Sequence, residues 1–136
     1  MKLIDANVFI YAAGRDHPLK EACREVYRHI LANPTAFNID AEVLQEILHV
    51  YSSRGQVRKG VEMVRDLLVL FPSPIPIGKE EMEGTCDLME RYPGLMARDA
   101  LHAAVAKQHR AEAIVSLDSY FDLISEIRHV SPEQPG

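Results

Sequence analysis

The sequence predicts an α/β fold: a single α/β/α sandwich around a short central parallel sheet. Two observations carry this. Short apolar runs with strand character alternate along the chain with longer stretches of helical spacing, which implies crossover connections, parallel strands and helices on both faces. The chain is also the right size, since 136 residues suit one domain that buries roughly two-thirds of the surface its unfolded form exposes. Taken in order, Lys2–Ile4 is a brief apolar entry and residues 35–39 are a second. Ala113-Ile114-Val115-Ser116-Leu117 is the clearest strand, and 127–130 reads as a last one. Helical spacing covers 19–31, 40–54, 56–70, 79–91 and 97–109. Residues 71–78, with proline at 72, 74 and 76, read as a connection carrying a short edge strand. Residues 1–130 form the domain and 131–136 a flexible C-terminal tail.

Composition narrows the function classes. Hydrophobic residues at 47% and charged residues at 26% exclude a disordered chain or a fibre. No apolar run reaches the roughly 18–20 residues of a membrane span. Asp5 interrupts the apolar start that a signal peptide needs, so the expectation is a cytoplasmic protein with no membrane partner. Cys23 and Cys86 stand far apart with no CxxC pairing and read as reduced core thiols. Fifteen basic against twenty acidic residues, a net charge of -5, argue against wrapping nucleic acid by charge alone. They do not argue against cutting it, because carboxylates that hold a metal make an active centre acidic.

In open parallel sheets ligands gather at the carboxyl ends of the strands. Asp5 follows directly after Lys2–Ile4, and Asp118 directly after the run 114–117. Either, taken singly, also reads as a helix N-cap. In the stretch 40–51 the apolar stripe is formed by Val43, Leu44, Ile47, Leu48, Val50 and Tyr51. Glu46 lies roughly 130° from the centre of that stripe and Glu42 roughly 170°. Glu46 is thus placed to reach a cleft or to flank it in solvent, while Glu42 suits a solvated first turn. The stretch 97–106 is apolar nearly all round and so mostly buried, and it carries Asp99 beside Ala103 and Ala106. A buried acid needs a partner, and Arg98 or the helix dipole are the structural options. His102 reads as packed beside this helix in a hydrogen-bond role, and His49 as solvated.

These stretches together resemble the PIN-domain nucleases, in particular the VapC-like toxins of toxin–antitoxin pairs. The matching segments are Leu3-Ile4-Asp5-Ala6-Asn7-Val8-Phe9-Ile10-Tyr11-Ala12, Glu42-Val43-Leu44-Gln45-Glu46-Ile47-Leu48, residues 97–106 and residues 114–122, in order. The resemblance implies an acidic cluster of Asp5, Glu46, Asp99 and Asp118. Asn7 and Ser116 take its small polar positions. Asp40 departs from the pattern, standing where serine or threonine is common; as an N-cap it is conservative, but it adds charge near the site. Asp122, one turn beyond Asp118, reads as a polar face residue, with a fifth acid as the alternative.

Carboxylate oxygens are hard ligands suited to Mg²⁺ or Mn²⁺. On this reading Asp5 and Asp118 are the main ligands, Asp99 is a further one, and Glu46 is a ligand or a water-orienting base. The resemblance further implies an RNA substrate cut to a 5′-phosphate and a 3′-hydroxyl, a homodimer, and a small antitoxin partner. Arg15, Lys20, Arg54, Arg58, Lys59 and Arg98 are the candidate cations for RNA, with 54, 58 and 59 the densest group. The helices over 19–31 and 57–70 offer an apolar groove or dimer surface. The alternatives are a catalytically silent PIN-fold RNA-binding or interaction module, a di-iron bundle built on Glu46-x-x-His49 and Asp99-x-x-His102, and a receiver domain. The strand at 113–117 opposes the bundle, and the missing acidic pair after the first strand opposes the receiver.

Overall fold

A computed structural model describes residues 1–133 of the chain. Strand β1 (Lys2–Ile4) leads into helix α1 (Ala6–Ala13) and helix α2 (Lys20–Ala32). A 3-10 turn at Pro34–Ala36 precedes strand β2 (Phe37–Asn38). Helices α3 (Ala41–Ser53), α4 (Val57–Leu70), α5 (Lys79–Arg91) and α6 (Ala97–Gln108) follow, then strand β3 (Ala113–Val115), a 3-10 turn at Ser119–Leu123 and strand β4 (His129–Val130).

The sheet order is β2-β1-β3-β4 and every pairing is parallel. Lys2 pairs with Phe37 on one side and with Ala113 on the other; Ile114 pairs with His129. Side chains alternate across it as the strand period requires. Leu3 and Ile114 join a core with Leu88, Ala104, Val105, Phe121 and Ile124, built on α5 and α6. Ile4, Ala113 and Val115 face the opposite core with Val8, Phe9, Val26, Ile30, Val43, Ile47 and Leu67, built on α1 to α4. This is the expected α/β/α sandwich. The α3–α4 corner turns on Gly55, whose φ of +71° is the left-handed conformation glycine adopts without strain after a helix end. The two helices close at Gly60, where a Cβ would lie 2.9 Å from that of Tyr51.

The structure departs from the sequence reading in four places. Residues 6–13 form a helix where none was assigned, because eight residues with Ala6, Val8, Phe9 and Ile10 all buried have no polar face to betray a helical period. The second strand is confined to Phe37–Asn38, as proline at 34 opens a 3-10 turn. Residues 71–78 form no edge strand: three prolines remove donors, leaving one bridge in which Ile75 N–H donates to Ile39 O (2.9 Å) and Ala41 N–H to Ile75 O (3.0 Å). Cys23 is a core thiol, its pKa pushed up to about 11 chiefly by burial, but Cys86 is exposed on α5; both are free. Of the expected tail, residues 131–133 are described, with Pro132 buried, and 134–136 lie outside the described residues. No helix among the described residues is long and apolar enough to cross a membrane.

Ile47 is fully buried at the sheet-facing side of α3, whereas Val69 is 83% exposed on α4. Ile47→Ala is expected to cost about 2–5 kcal/mol in urea denaturation, through lost burial and the cavity left behind. Val69→Ala should stay within about 0.5 kcal/mol.

Candidate active site

The order β2-β1-β3-β4 makes the chain leave β1 toward one edge and return on the other side, so the switch point lies between the carboxyl ends of β1 and β3. A crevice at such a point is where open sheets place ligands. Asp5 sits there, its backbone N–H donating to Val115 O at 2.9 Å. Its carboxylate accepts from Ala6 N–H on Oδ1 (2.7 Å), and from Ser116 Oγ (2.7 Å) and Asn7 Nδ2 (3.3 Å) on Oδ2. Asp5 is thus the N-cap of α1 and a wall of the crevice at once, so the two readings of it were never exclusive. Asn7 ties the strand ends together: Nδ2 also donates to Ser116 Oγ (3.2 Å), and Oδ1 accepts Leu117 N–H (3.2 Å). Asp118 N–H donates back to Ser116 Oγ at 2.9 Å, while Asp118 Oδ1 caps the following 3-10 turn through Tyr120 N–H, also 2.9 Å.

Two helices bring the other acids. Glu46 projects from α3, half-buried, and Asp99 from the first turn of α6, buried. Together with Asn7, Met96, Arg98 and His102, the four carboxylates Asp5, Glu46, Asp99 and Asp118 line one cavity of about 160 Å³. Arg98, one of the two structural options for Asp99, forms its ion pair with Glu46 instead. Asp99 Oδ2 is buried without a hydrogen-bond donor among the described residues. Asp122 does not reach the cavity; it is exposed and paired through Oδ1 with His129 Nδ1 at 2.8 Å, while His129 Nε2 donates to Ser116 O at 2.8 Å. His49 is exposed, as expected.

The electrostatics follow from this crowding. Burial, then the neighbouring carboxylate of Asp118 and the charge of Asp5, push the Asp99 carboxyl up from 3.8 to about 8, against the opposing pull of His102. Glu46 is raised by burial and by Asp5, with Arg98 and His102 pulling the other way. Burial would push His102 down, but the Asp40 hydrogen bond and the charges of Asp40, Asp5 and Glu46 outweigh it and lift the imidazole from 6.5 to about 9.

Sequence reasoning missed the partnership behind that value. Asp40 is indeed the N-cap of α3, taking Val43 N–H on Oδ1 at 3.1 Å. Its other oxygen lies 2.6 Å from His102 Nδ1, across 62 residues. The available signal was the pairing of two oddities: an acid where a hydroxyl is usual, and a histidine one turn beyond Asp99 on the same helix. A donor set of hard oxygens, one of them buried with nothing to bind, fits a divalent cation.

Residues 2–127 match the PIN domain family. The chain belongs to it. This PIN domain is 35% identical over 140 residues to Ribonuclease VapC7 of Mycobacterium tuberculosis, covering 100% of this chain and 94% of that protein. It is 33% identical over 132 residues to VapC ribonuclease Mb1869c of Mycobacterium bovis, covering 96% and 100%. Among solved structures, FitAcB from Neisseria gonorrhoeae superposes with a TM-score of 0.80 at 18% identity, over 98% of this chain and 99% of that one. Mycobacterium tuberculosis VapC20, described as a sarcin-ricin loop cleaving toxin, gives 0.76 at 14% identity, over 94% and 99%. At those identities the two structures speak for the fold.

The shifted groups make the stability of the metal-free PIN domain pH-dependent. Between about 4 and about 8 the folded state keeps a proton on Asp99 that the unfolded chain has lost, so rising pH destabilises it there. The His102 ion pairs stabilise fully below about 6.5, and that contribution is lost as pH rises through about 9. Both act in one direction. Thermal melts in EDTA are expected to show Tm falling from about pH 5 to about pH 9, with the lower part of the slope removed in Asp99→Asn. A flat profile would contradict it.

Proposed function

We propose that this PIN domain is a divalent-metal-dependent endoribonuclease acting as the toxin of a toxin–antitoxin pair. One observation carries the reading: Asp5, Glu46, Asp99 and Asp118, from four separate segments, line a single cavity at the switch point of the sheet. The ribonuclease names of the relatives support the substrate class.

Asp5, Asp99 and Asp118 would hold Mg²⁺ or Mn²⁺, with Glu46 a further ligand or the group that orients the attacking water. When bound, the cation relieves the repulsion among the carboxylates, lowers the pKa of a bound water and offsets charge building on the phosphate. Asp5 keeps its orientation because both oxygens already accept protein donors, leaving their remaining lone pairs turned to the cavity. Asp99 would bind as the carboxylate, the proton it keeps in the metal-free protein passing to solvent. Arg98, paired with Glu46 at the cavity wall, is the cation placed to meet the scissile phosphate, where a guanidinium matches two oxygens at once. Attack in line with the 3′ oxygen leaves a 5′-phosphate and a 3′-hydroxyl.

RNA approaches along α3, where Gln45, His49, Arg54 and Arg98 line an open groove of about 580 Å³ that meets the cavity at Glu46. The cations predicted as a group divide here: Arg54 faces this groove and Lys59 another, both over the ring of Tyr51 at 5.7 and 5.4 Å. That other groove, about 510 Å³ between α1, α2 and α4, has an apolar floor of Phe9, Tyr27, Met63 and Leu67 and the cations Arg24, Arg28 and Lys59 among its lining residues. It suits the antitoxin. The toxin-antitoxin complex from Klebsiella pneumoniae, which shares this fold, is consistent with such a partner. A homodimer would cover Leu31 and Leu68, which are exposed. The setting is cytoplasmic, where the RNA is. A silent binding module is the lesser reading, because the chain retains all four acids.

The test is cleavage of structured RNAs with Mg²⁺ or Mn²⁺ beside an EDTA control. Wild type should cut only with metal, and Asp5→Asn or Asp99→Asn should lose about 100-fold or more, the several kcal/mol that a bound metal supplies to the transition state. Equal cutting by wild type and both variants would assign the activity elsewhere. Metal binding without cutting would favour the silent module.

A further inference from the structure

His102 is the buried group that the acidic-cluster reading leaves without a task. It is 3% exposed, lines the catalytic cavity, and its Nε2 has no hydrogen-bond partner among the described residues. The nearest charged atom, Asp5 Oδ1, lies at 3.6 Å, which is too long for a hydrogen bond. Leaving a buried polar nitrogen unsatisfied is costly and uncommon in folded proteins. The opposite side of the ring is fully determined. Asp40 is 1% exposed and fixed as the N-cap of α3, and its carboxylate can only accept, so Nδ1 carries the proton of the 2.6 Å bond. Nε2 is then the atom turned toward the acids, and one donor atom each from Asp5, Glu46 and His102 lie within 4.8 Å of one another.

A carboxylate binding one imidazole nitrogen while the other faces a cluster of oxygens is the arrangement by which proteins orient a histidine ligand. We propose that His102 Nε2 is a ligand of the metal site and Asp40 its orienting carboxylate, making this a mixed nitrogen–oxygen centre and not an all-oxygen one. The inference rests on the metal-dependent reading above. Nε2 binds through its lone pair, so any proton it carries in the metal-free protein passes to solvent. A nitrogen donor favours Mn²⁺ and later transition metals over Mg²⁺, which selects oxygen and water. It also gives Asp40 a role that serine or threonine at the same N-cap could not perform.

The full chain loaded with Mn²⁺ is examined by electron spin echo envelope modulation, with unlabelled and with ¹⁵N-histidine-labelled protein. Strong ¹⁴N modulation that converts to ¹⁵N on labelling is expected, with no substitution needed. His102→Gln should abolish it and weaken Mn²⁺ binding about 10- to 100-fold, and Asp40→Asn should weaken it about 10-fold. Mg²⁺ affinity should fall less than Mn²⁺ affinity in both variants. Bound Mn²⁺ without nitrogen modulation would overturn the ligand and leave the metal-dependent reading standing. Failure of the wild type to bind Mn²⁺ at all would overturn both.

Discussion

Mutual repulsion among carboxylates is the constraint around which this molecule is arranged. Four acids share a cavity of about 160 Å³, two of them in buried side chains, and like charges so placed cannot all ionise in a low-dielectric setting. The surrounding structure answers that cost in several ways. Asp5 is stabilised by a helix N-terminus and a hydroxyl, Glu46 by a guanidinium, and Asp99 by keeping its proton. Beneath them Asp40 and His102 add a buried pair whose cationic member faces the cluster. A divalent cation of the kind proposed above would offset the repulsion among the carboxylates and displace the protons held by Asp99 and His102.

The parallel sheet is what makes such crowding possible. Parallel strands present all their carboxyl ends on one side, and placing β1 beside β3 sets Asp5 against Ser116 although 111 residues separate them. Helix α6 can lie close over that edge because Ala100, Ala103, Ala104 and Ala106 are small and buried. Local sequence therefore determines which acid stands at which element end, while topology alone determines that they meet.

Legibility divides along the same line. The alternation of runs disclosed the sandwich, and residue type at strand ends disclosed Asp5 and Asp118. Periodicity placed Glu46 at the margin of its stripe and Asp99 on a mostly buried helix, where the structure has them. Helix α1 was hidden because its eight residues are apolar nearly all round, which erases the 3.6-residue signal. The strand expected at 71–78 failed because prolines at alternate positions silence the ladder, leaving one bridge at Ile75. The Asp40–His102 pair and the Arg98–Glu46 pair were illegible for a different reason: each joins α3 to α6, and no local pattern reports which distant side chain completes a buried charge.

The latch at the far edge of the sheet has a temporal meaning. His129, on the last strand, reaches Ser116 O and Asp122 at once and so braces the loop that carries Asp118. Along the chain Asp5 precedes Ser116 by 111 residues, and the brace at His129 comes later still. During synthesis the segments bearing Asp5 and Glu46 precede both the opposing hydroxyl and the loop that completes the cavity. Long-range parallel pairing of this kind also forms slowly. The cavity lined by Asp5, Glu46, Asp99 and Asp118 is therefore walled only once the segment from β3 to β4 has been added to the helices before it.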